Sequence, residues 1–343
     1  MKTTSYSFVT VEQLTVSETD DYYFCFRKGL TLNCNLFHRT FHLLTAFLAV
    51  LFLLAGCSPL SIINRLTPSD TYRVESGIAY GPLNRQRLDV YSPIHISGQA
   101  PIVVFFYGGN WNSGTRSDYL FVGEALASQG FVVVIADYRL YPEVRFPAFL
   151  EDCARAVRWA FEHAAEYGGN TSDLYLMGHS AGAYNAAMLA LNPEYLRKTG
   201  VEDGKIRGLI TLAGPFDFLP LQSDVTKGIF GYPDTPLSTQ PIQFASRSAP
   251  PAFLATGGDD DVVDPGNSAR LAAQLRSNGA KVTEVIYPHL AHRTIIGALS
   301  APLRPFSPVL EDVVKFIRTT RSTGAKSQPR QLQLQAQHAQ GTG

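Results

Sequence analysis

The sequence predicts one α/β domain built on a mostly parallel sheet flanked by helices. Short apolar runs without polar alternation, Pro101–Phe106 (PIVVFF) and Phe131–Ala136 (FVVVIA), fit strands buried on both faces. Segments with helical spacing lie between such runs, so strand and helix alternate along the chain. One junction is abrupt. Gly178-His179-Ser180-Ala181-Gly182 joins the apolar run Asp173–Met177 directly to the helix formers Ala183–Leu191, which forces a sharp turn.

Taken in order, the chain opens on a leader. Phe41–Leu54 is an apolar run of 14 residues, with Arg39 before it and Ala55-Gly56 after it. It is short for a membrane span and has the layout of a signal peptide. Its end, Leu54-Ala55-Gly56-Cys57, resembles the bacterial lipobox. That resemblance implies cleavage before Cys57, lipid on its thiol and a body held at the bacterial cell envelope, with Ser58 favouring the outer membrane. A buried helix or an uncleaved anchor competes for the same residues. Residues 1–56 are thus expected as leader and signal peptide, and 57–71 as a Pro- and Ser-bearing tether.

Tyr72–Tyr80 and Gln86–Tyr91 alternate and predict an antiparallel pair. A helix is expected over Phe121–Gln129. Another is expected over Pro147–Tyr167, where Phe149, Cys153, Ala156, Val157, Ala160 and Phe161 recur at helical spacing up to Gly168-Gly169. Beyond the turn at 178–182 come a strand at Ile206–Ala213 and a Pro-rich stretch, 215–250, without clear period, which suits a cap-like insertion. Ala252–Thr256 and Val282–Tyr287 complete the strands. The helix between them runs from Pro265 to about Ser277 with Asp264 as its N-cap, and Val309–Thr319 is the last helix. The domain then spans 72–320, and the Gln-, Ser- and Gly-rich 321–343 has too little apolar content to order itself.

Charge and cysteine usage exclude several classes. Lys and Arg number 29 and Asp and Glu 29, so no basic surplus exists to hold nucleic acid. Cys25, Cys34, Cys57 and Cys153 form no C-x-x-C pair and no Cys/His zinc spacing, and no dinucleotide-type glycine fingerprint follows a strand. No disulfide framework, metal or cofactor is expected.

Parallel sheets bind ligands at the carboxyl ends of their strands. The G-x-S-x-G turn puts Ser180 there, at a helix N-terminus where developing negative charge is favoured; a plain Gly-rich turn is the alternative. A serine hydroxyl needs a base, and the base an orienting carboxylate. Gly257-Gly258-Asp259-Asp260-Asp261-Val262-Val263 follows one strand end, and Tyr287-Pro288-His289-Leu290-Ala291-His292 follows the last. With those motifs in the order Ser, Asp, His, the chain from about Tyr72 to Thr319 resembles an α/β-hydrolase of the carboxylesterase/hormone-sensitive-lipase-like type. Feruloyl/acetyl-xylan esterase-like and kynurenine-formamidase-like members are the near ones. The resemblance implies the acid at Asp260, in a Gly-x-x-Asp-x-x-Val pattern, and the base at His292. It implies oxyanion donors at Gly109, Asn110 and Ala181. The first two lie in Tyr107-Gly108-Gly109-Asn110-Trp111, which resembles the family's His-Gly-Gly-x-Trp loop with Tyr107 in place of the usual His. Asp259 and Asp261 are the competitors for the acid; a solvated acidic turn accounts for them, with a calcium site as the minor alternative. His289 reads as a loop histidine and His179 as packed beside the serine. Asp137-Tyr138-Arg139-Leu140 and Asp152 read as scaffold, and Asp217 as structural, with a place in the pocket lining as the alternative.

The implied activity is hydrolysis of short-chain acyl or aryl esters through an acyl-enzyme, with a small-molecule ester as partner. An aryl-formamidase cleaving activated amides would use the same machinery. A non-catalytic binding protein of the same fold is the reading from another class.

Overall fold

The computed structural model describes residues 24–27, 30–33, 59–95 and 98–322. Within residues 1–56, β1 (Phe24–Arg27) and β2 (Leu30–Asn33) form a short antiparallel pair that the sequence does not predict. The apolar run 41–54, Cys57 and the tail beyond 322 lie outside the described residues. Among those described, no helix is long and apolar enough to cross a membrane.

A separate compact unit begins at Pro59. Its sheet has eight strands: β3 (Tyr72–Ala79), β4 (Arg87–Pro93), β5 (Ala100–Phe106), β6 (Val132–Ala136), β7 (Gly169–His179), β8 (Ile206–Leu212), β9 (Ala252–Gly257) and β10 (Val282–Tyr287). Their spatial order is β10-β9-β8-β7-β5-β6-β4-β3. Only β4 runs against its neighbours, β3 and β6; the other pairs are parallel. This is the mostly parallel sheet that the strand pattern predicts, with the expected early antiparallel pair β3–β4 and, in addition, β4 antiparallel to β6. Every residue of β5 and β6 is buried, as unbroken apolar strands require when both faces are covered. Edge strand β3 is largely exposed, and its register shifts between Glu75 and Ile78, where Gly77 turns its N–H onto Asp89 Oδ1 at 2.8 Å.

The helices are α1 (Pro59–Arg65), α2 (Leu120–Ala127), α3 (Ala148–His163), α4 (Ala181–Leu191), α5 (Glu194–Thr199), α6 (Asp224–Phe230), α7 (Gly266–Ser277), α8 (His292–Gly297) and α9 (309–322). Helix α4 is buried on nearly all sides, and its Ala and Gly residues let β7, β8 and the segment above it close in.

The structure also differs from expectation at several places in this unit. Residues 59–65, expected within a tether, form α1, and Leu60 and Ile63 pack against the core. Asn64 fastens this helix by donating to the Ser117 and Asp118 carbonyls (3.0 and 3.1 Å) and accepting from the Phe121 N–H (3.2 Å). The 215–250 stretch is not featureless. It carries α6 and two short 3-10 turns, Leu237–Thr239 and Pro241–Phe244. Helix α6 was hidden from periodicity by its length of seven residues, although its Ser223 N-cap accepts from the Thr226 N–H. The N-cap of α7 is Pro265 rather than Asp264, whose Oδ1 still accepts the Gly266 N–H at 2.9 Å. The last helix continues three residues past Thr319, and Arg321 reaches the buried Asp173 at 3.1 Å.

If α1 belongs to the folded body, Asn64→Ala should lower the unfolding free energy by about 1–3 kcal/mol, since three hydrogen bonds go, two of them partly buried. Urea titration checks this. An unchanged midpoint would return residues 59–65 to the status of a tether.

Candidate active site

Ser180 stands between β7 and α4 with φ 56° and ψ −125°. Such a turn closes only where the crossing backbones can touch. A Cβ on Gly178 would lie 2.1 Å from the Gly182 carbonyl oxygen, and one on Gly182 would lie 2.0 Å from that of Phe106. Both glycines of the motif are therefore demanded by space. The Ser180 N–H donates to the Leu212 carbonyl (2.9 Å), and its own carbonyl accepts from Tyr184 (3.1 Å).

The loops after β9 and β10 meet this turn. Ser180 Oγ is 2.8 Å from His292 Nε2, and His292 Nδ1 is 2.9 Å from Asp260 Oδ2 and 3.1 Å from Oδ1. The structure thus brings Ser180, His292 and Asp260 together, while Asp259, Asp261 and His289 are exposed. The Asp260 side chain is fully buried. Burial alone would raise its carboxyl. Hydrogen bonds from His292 and from the Val263 and Val262 N–H groups outweigh that and hold it below its ordinary value. It is therefore a carboxylate, and only an Nδ1–H imidazole can donate to it. That tautomer leaves Nε2 with a lone pair to accept the serine proton.

Beside Ser180 run the Tyr107–Trp111 loop and the start of α4. Gly109, Asn110 and Trp111 all have positive φ (130°, 51° and 56°), a run that Asn and Trp rarely adopt. The backbone N–H groups of Gly109, Asn110 and Ala181 donate to no acceptor among the described residues. The loop itself is held from below. Tyr107 is buried; its hydroxyl donates to Asp137 Oδ1 (2.8 Å) and accepts from Arg85 Nη2 (2.8 Å). Its carbonyl accepts from the Tyr138 hydroxyl (2.8 Å), and Arg85 also donates to the Gly114 carbonyl (2.7 Å). The Trp111 indole N–H donates to Asn185 Oδ1 (3.0 Å), and its ring meets those of Tyr184, Phe218 and Phe230.

The residues read as scaffold stand apart from these reacting atoms. Asp137 pairs with Arg116 and accepts that residue's N–H (2.7 Å), and buried Asp152 pairs with Arg139 at 2.7 Å while accepting from Gln86 (2.8 Å). Asp217 pairs with Arg270 at 2.7 Å. Sequence reasoning missed Arg85, Arg116 and Asn185, because their partners lie 21 to 74 residues away and no local pattern marks them.

His179 packs beside the serine as expected, and against the base as well. Its ring lies 4.9 Å from that of His292, and its Nε2 is 2.8 Å from the His292 carbonyl oxygen. Burial and the nearby His292 push its pKa down to about 3.

The BD-FAE family model matches residues 88–275. A probable isoprenylcysteine alpha-carbonyl methylesterase of Arabidopsis thaliana is 26% identical over 268 residues, covering 71% of this chain and 56% of that protein. A probable carboxylic ester hydrolase, LipM, of Mycobacterium tuberculosis is 28% identical over 230 residues, covering 60% and 52%. This chain therefore spans little more than half the length of these relatives. Among solved structures, esterase B of Lactobacillus rhamnosis superposes with a TM-score of 0.68 at 20% identity, covering 84% of this chain and 97% of that one. A hyperthermophilic esterase from the archaeon Pyrobaculum calidifontis gives 0.60 at 23% identity, covering 77% and 90%. These likenesses show a shared α/β-hydrolase fold.

The His179 environment carries a pH signature. Its folded pKa lies below the unfolded value near 6.5, so the unfolded chain binds more protons between the two. The stability it contributes is fully present above about pH 6.5 and is lost as pH falls toward about 3. The urea midpoint should drop between about pH 7 and pH 4, and drop less in His179→Leu. Parallel curves for the two proteins would contradict this assignment.

Proposed function

Since the chain belongs to the BD-FAE family, with the α/β-hydrolase fold, we propose that it is a carboxylic ester hydrolase working through a serine acyl-enzyme. One observation carries the proposal. A serine hydroxyl, an imidazole and a buried carboxylate stand in a hydrogen-bonded line at 2.8 and 2.9 Å, beside three peptide N–H groups that have no acceptor among the described residues.

Ser180 Oγ attacks the ester carbonyl as His292 Nε2 takes its proton. Asp260 keeps the imidazole in the Nδ1–H tautomer and stabilises the cation that forms. The carbonyl oxygen becomes an oxyanion held by the N–H groups of Gly109, Asn110 and Ala181, at the N-terminus of α4. The tetrahedral intermediate collapses, the C–O bond breaks and the alcohol leaves with the proton from Nε2. Water then repeats the sequence in reverse roles and frees the acid. Short-chain acyl or aryl esters are the proposed substrates. The apolar side of the oxyanion loop is closed by Trp111, Tyr184 and Phe230, all at most 3% exposed, which leaves little depth for a long acyl chain. The Arabidopsis relative is named for a methyl ester, a small alcohol that would suit the same opening.

Asp260→Asn makes a pointed test. Asp260 Oδ1 accepts from both Val262 and Val263, so the amide oxygen stays there and the NH2 group replaces Oδ2 at Nδ1. The imidazole must then carry its proton on Nε2 and cannot accept from Ser180. Turnover of p-nitrophenyl acetate should fall about 10⁴-fold with the urea midpoint near wild type. Ser180→Ala should lose at least as much. Wild-type rates in Ser180→Ala would remove the proposal, and faster cleavage of a formyl-anilide than of the acetate would move it to an amidase.

We also propose that lipid on Cys57 anchors the protein at a bacterial envelope membrane, outer rather than inner. Support comes from the apolar run ending in Leu54-Ala55-Gly56-Cys57-Ser58. Expressed in a bacterium fed labelled palmitate, the chain should take up label and enter the detergent phase, and Cys57→Ser should do neither. Equal labelling of both would end the anchor proposal.

A further inference from the structure

His179 occupies an unusual place. It precedes the nucleophile by one residue, is 5% exposed and closes the C-terminal end of β7. A carbonyl oxygen only accepts, so the 2.8 Å contact with the His292 carbonyl fixes Nε2 of His179 as the protonated nitrogen. Nδ1 then bears a buried lone pair with no hydrogen-bond partner among the described residues, and it faces the oxyanion loop: a Cβ on Gly108 would lie 3.0 Å from it. One ring thus touches the backbone of the base, the oxyanion loop and, through the chain, the nucleophile.

What else holds the base in place is telling. Residues 288–291 are tied to the acid loop, since the Asp259 N–H donates to the Leu290 carbonyl (3.1 Å) and a Cβ on Gly257 would lie 1.9 Å from that oxygen. Helix α8, which His292 begins, is only six residues long. Among the described residues, the His179 bond is the one hydrogen bond between the nucleophile strand and residues 288–297 apart from Ser180 Oγ to His292 Nε2.

We infer that His179 is a positioning residue for the proposed hydrolysis. By gripping the His292 carbonyl it sets the distance between base and nucleophile independently of the bond that must break and reform during turnover. The inference rests on the triad reading and adds a residue to it that never touches substrate. A misplacement of the base by about 1 Å costs up to about a hundredfold in rate, which sets the scale of what the grip protects.

The test uses the full chain as wild type, His179→Leu and His179→Gln. Leu fills the volume without a donor, whereas a Gln amide nitrogen falls near the position of Nε2. Competent sites are counted by the p-nitrophenolate burst on reaction with diethyl p-nitrophenyl phosphate, and steady-state rates on p-nitrophenyl acetate are divided by that count. The expected result is a per-site kcat about tenfold lower in His179→Leu, with KM within about twofold and most of the loss restored in His179→Gln. A lower site count at unchanged per-site kcat would mean a purely structural histidine and overturn the inference. So would a Gln variant as slow as Leu. Failure of the triad reading has its own sign, namely wild type no faster than Ser180→Ala.

Discussion

Ser180 holds a backbone conformation that an L-residue keeps only when its surroundings leave no other choice. Conformations of this kind cost on the order of 1–3 kcal/mol and persist where packing over-determines them. Here the determination is geometric. The peptides of Phe106, Gly178 and Gly182 pass so closely that no Cβ fits between them, and the Ser180 N–H and carbonyl are both taken, by Leu212 and Tyr184. The hydroxyl is therefore presented at the rim before any ligand arrives. Because α4 starts at the next residue, its free N-terminal N–H is presented with it. In the proposed mechanism, nucleophile and one oxyanion donor come from a single turn.

The rest of the rim depends on sheet order. Strands β5 and β8 flank β7, and β9 and β10 follow outward, so the oxyanion loop lies on one side of the serine and the acid and base loops on the other. The oxyanion loop needs its own support, because three consecutive residues with positive φ would not hold that shape alone. Tyr107 supplies it by a route that a histidine, with its shorter reach, would not copy. Its ring lies between those of Tyr119 and Tyr138, with centroids at 5.6 and 4.9 Å, and its hydroxyl extends to Asp137 and Arg85. Asp137 is nearly buried yet accepts from Tyr107, the Arg116 peptide and the Arg116 guanidinium. A buried carboxylate is tolerable only when so surrounded. The substitution at position 107 thus leaves the loop anchored, through different atoms.

Legibility in the sequence followed the range of the interactions. Asp260 and His292 are singled out through the family resemblance, whereas the unbroken apolar strands β5 and β6 and the Gly-x-Ser-x-Gly turn were readable because each signal is local and its chemistry is strict. Helix α1 was not. Its seven residues gain their stability from Leu60, Ile63 and the Asn64 side chain meeting groups some 55 residues away, and isolated helices of that length do not form. The 215–250 segment failed for a related reason. Its shape is set by bonds such as Tyr184 hydroxyl to Thr239 carbonyl (2.7 Å), Phe218 N–H to Gln240 Oε1 (2.8 Å) and Phe216 N–H to Asn267 Oδ1 (2.9 Å), none of which leaves a period in the sequence. The spacing around Asp260 did not by itself separate three consecutive aspartates. Burial does, since only the middle one points inward to meet His292.

A catalytic imidazole poses a particular structural problem. In the proposed hydrolysis the Nδ1 of His292 is engaged by Asp260, and its Nε2 must remain exchangeable, accepting from Ser180 and later returning a proton to the departing alcohol. Neither ring nitrogen can therefore serve as a permanent anchor to the nucleophile's side of the rim. Anchoring has to fall on the backbone of His292, and the carbonyl that begins a short helix is the one group there with lone pairs to offer. A donor placed one residue before the nucleophile, buried and neutral so that it neither exchanges with solvent nor repels the imidazolium, meets that need. His179, with its Nε2–H turned to that carbonyl and its pKa far below neutrality, has those properties.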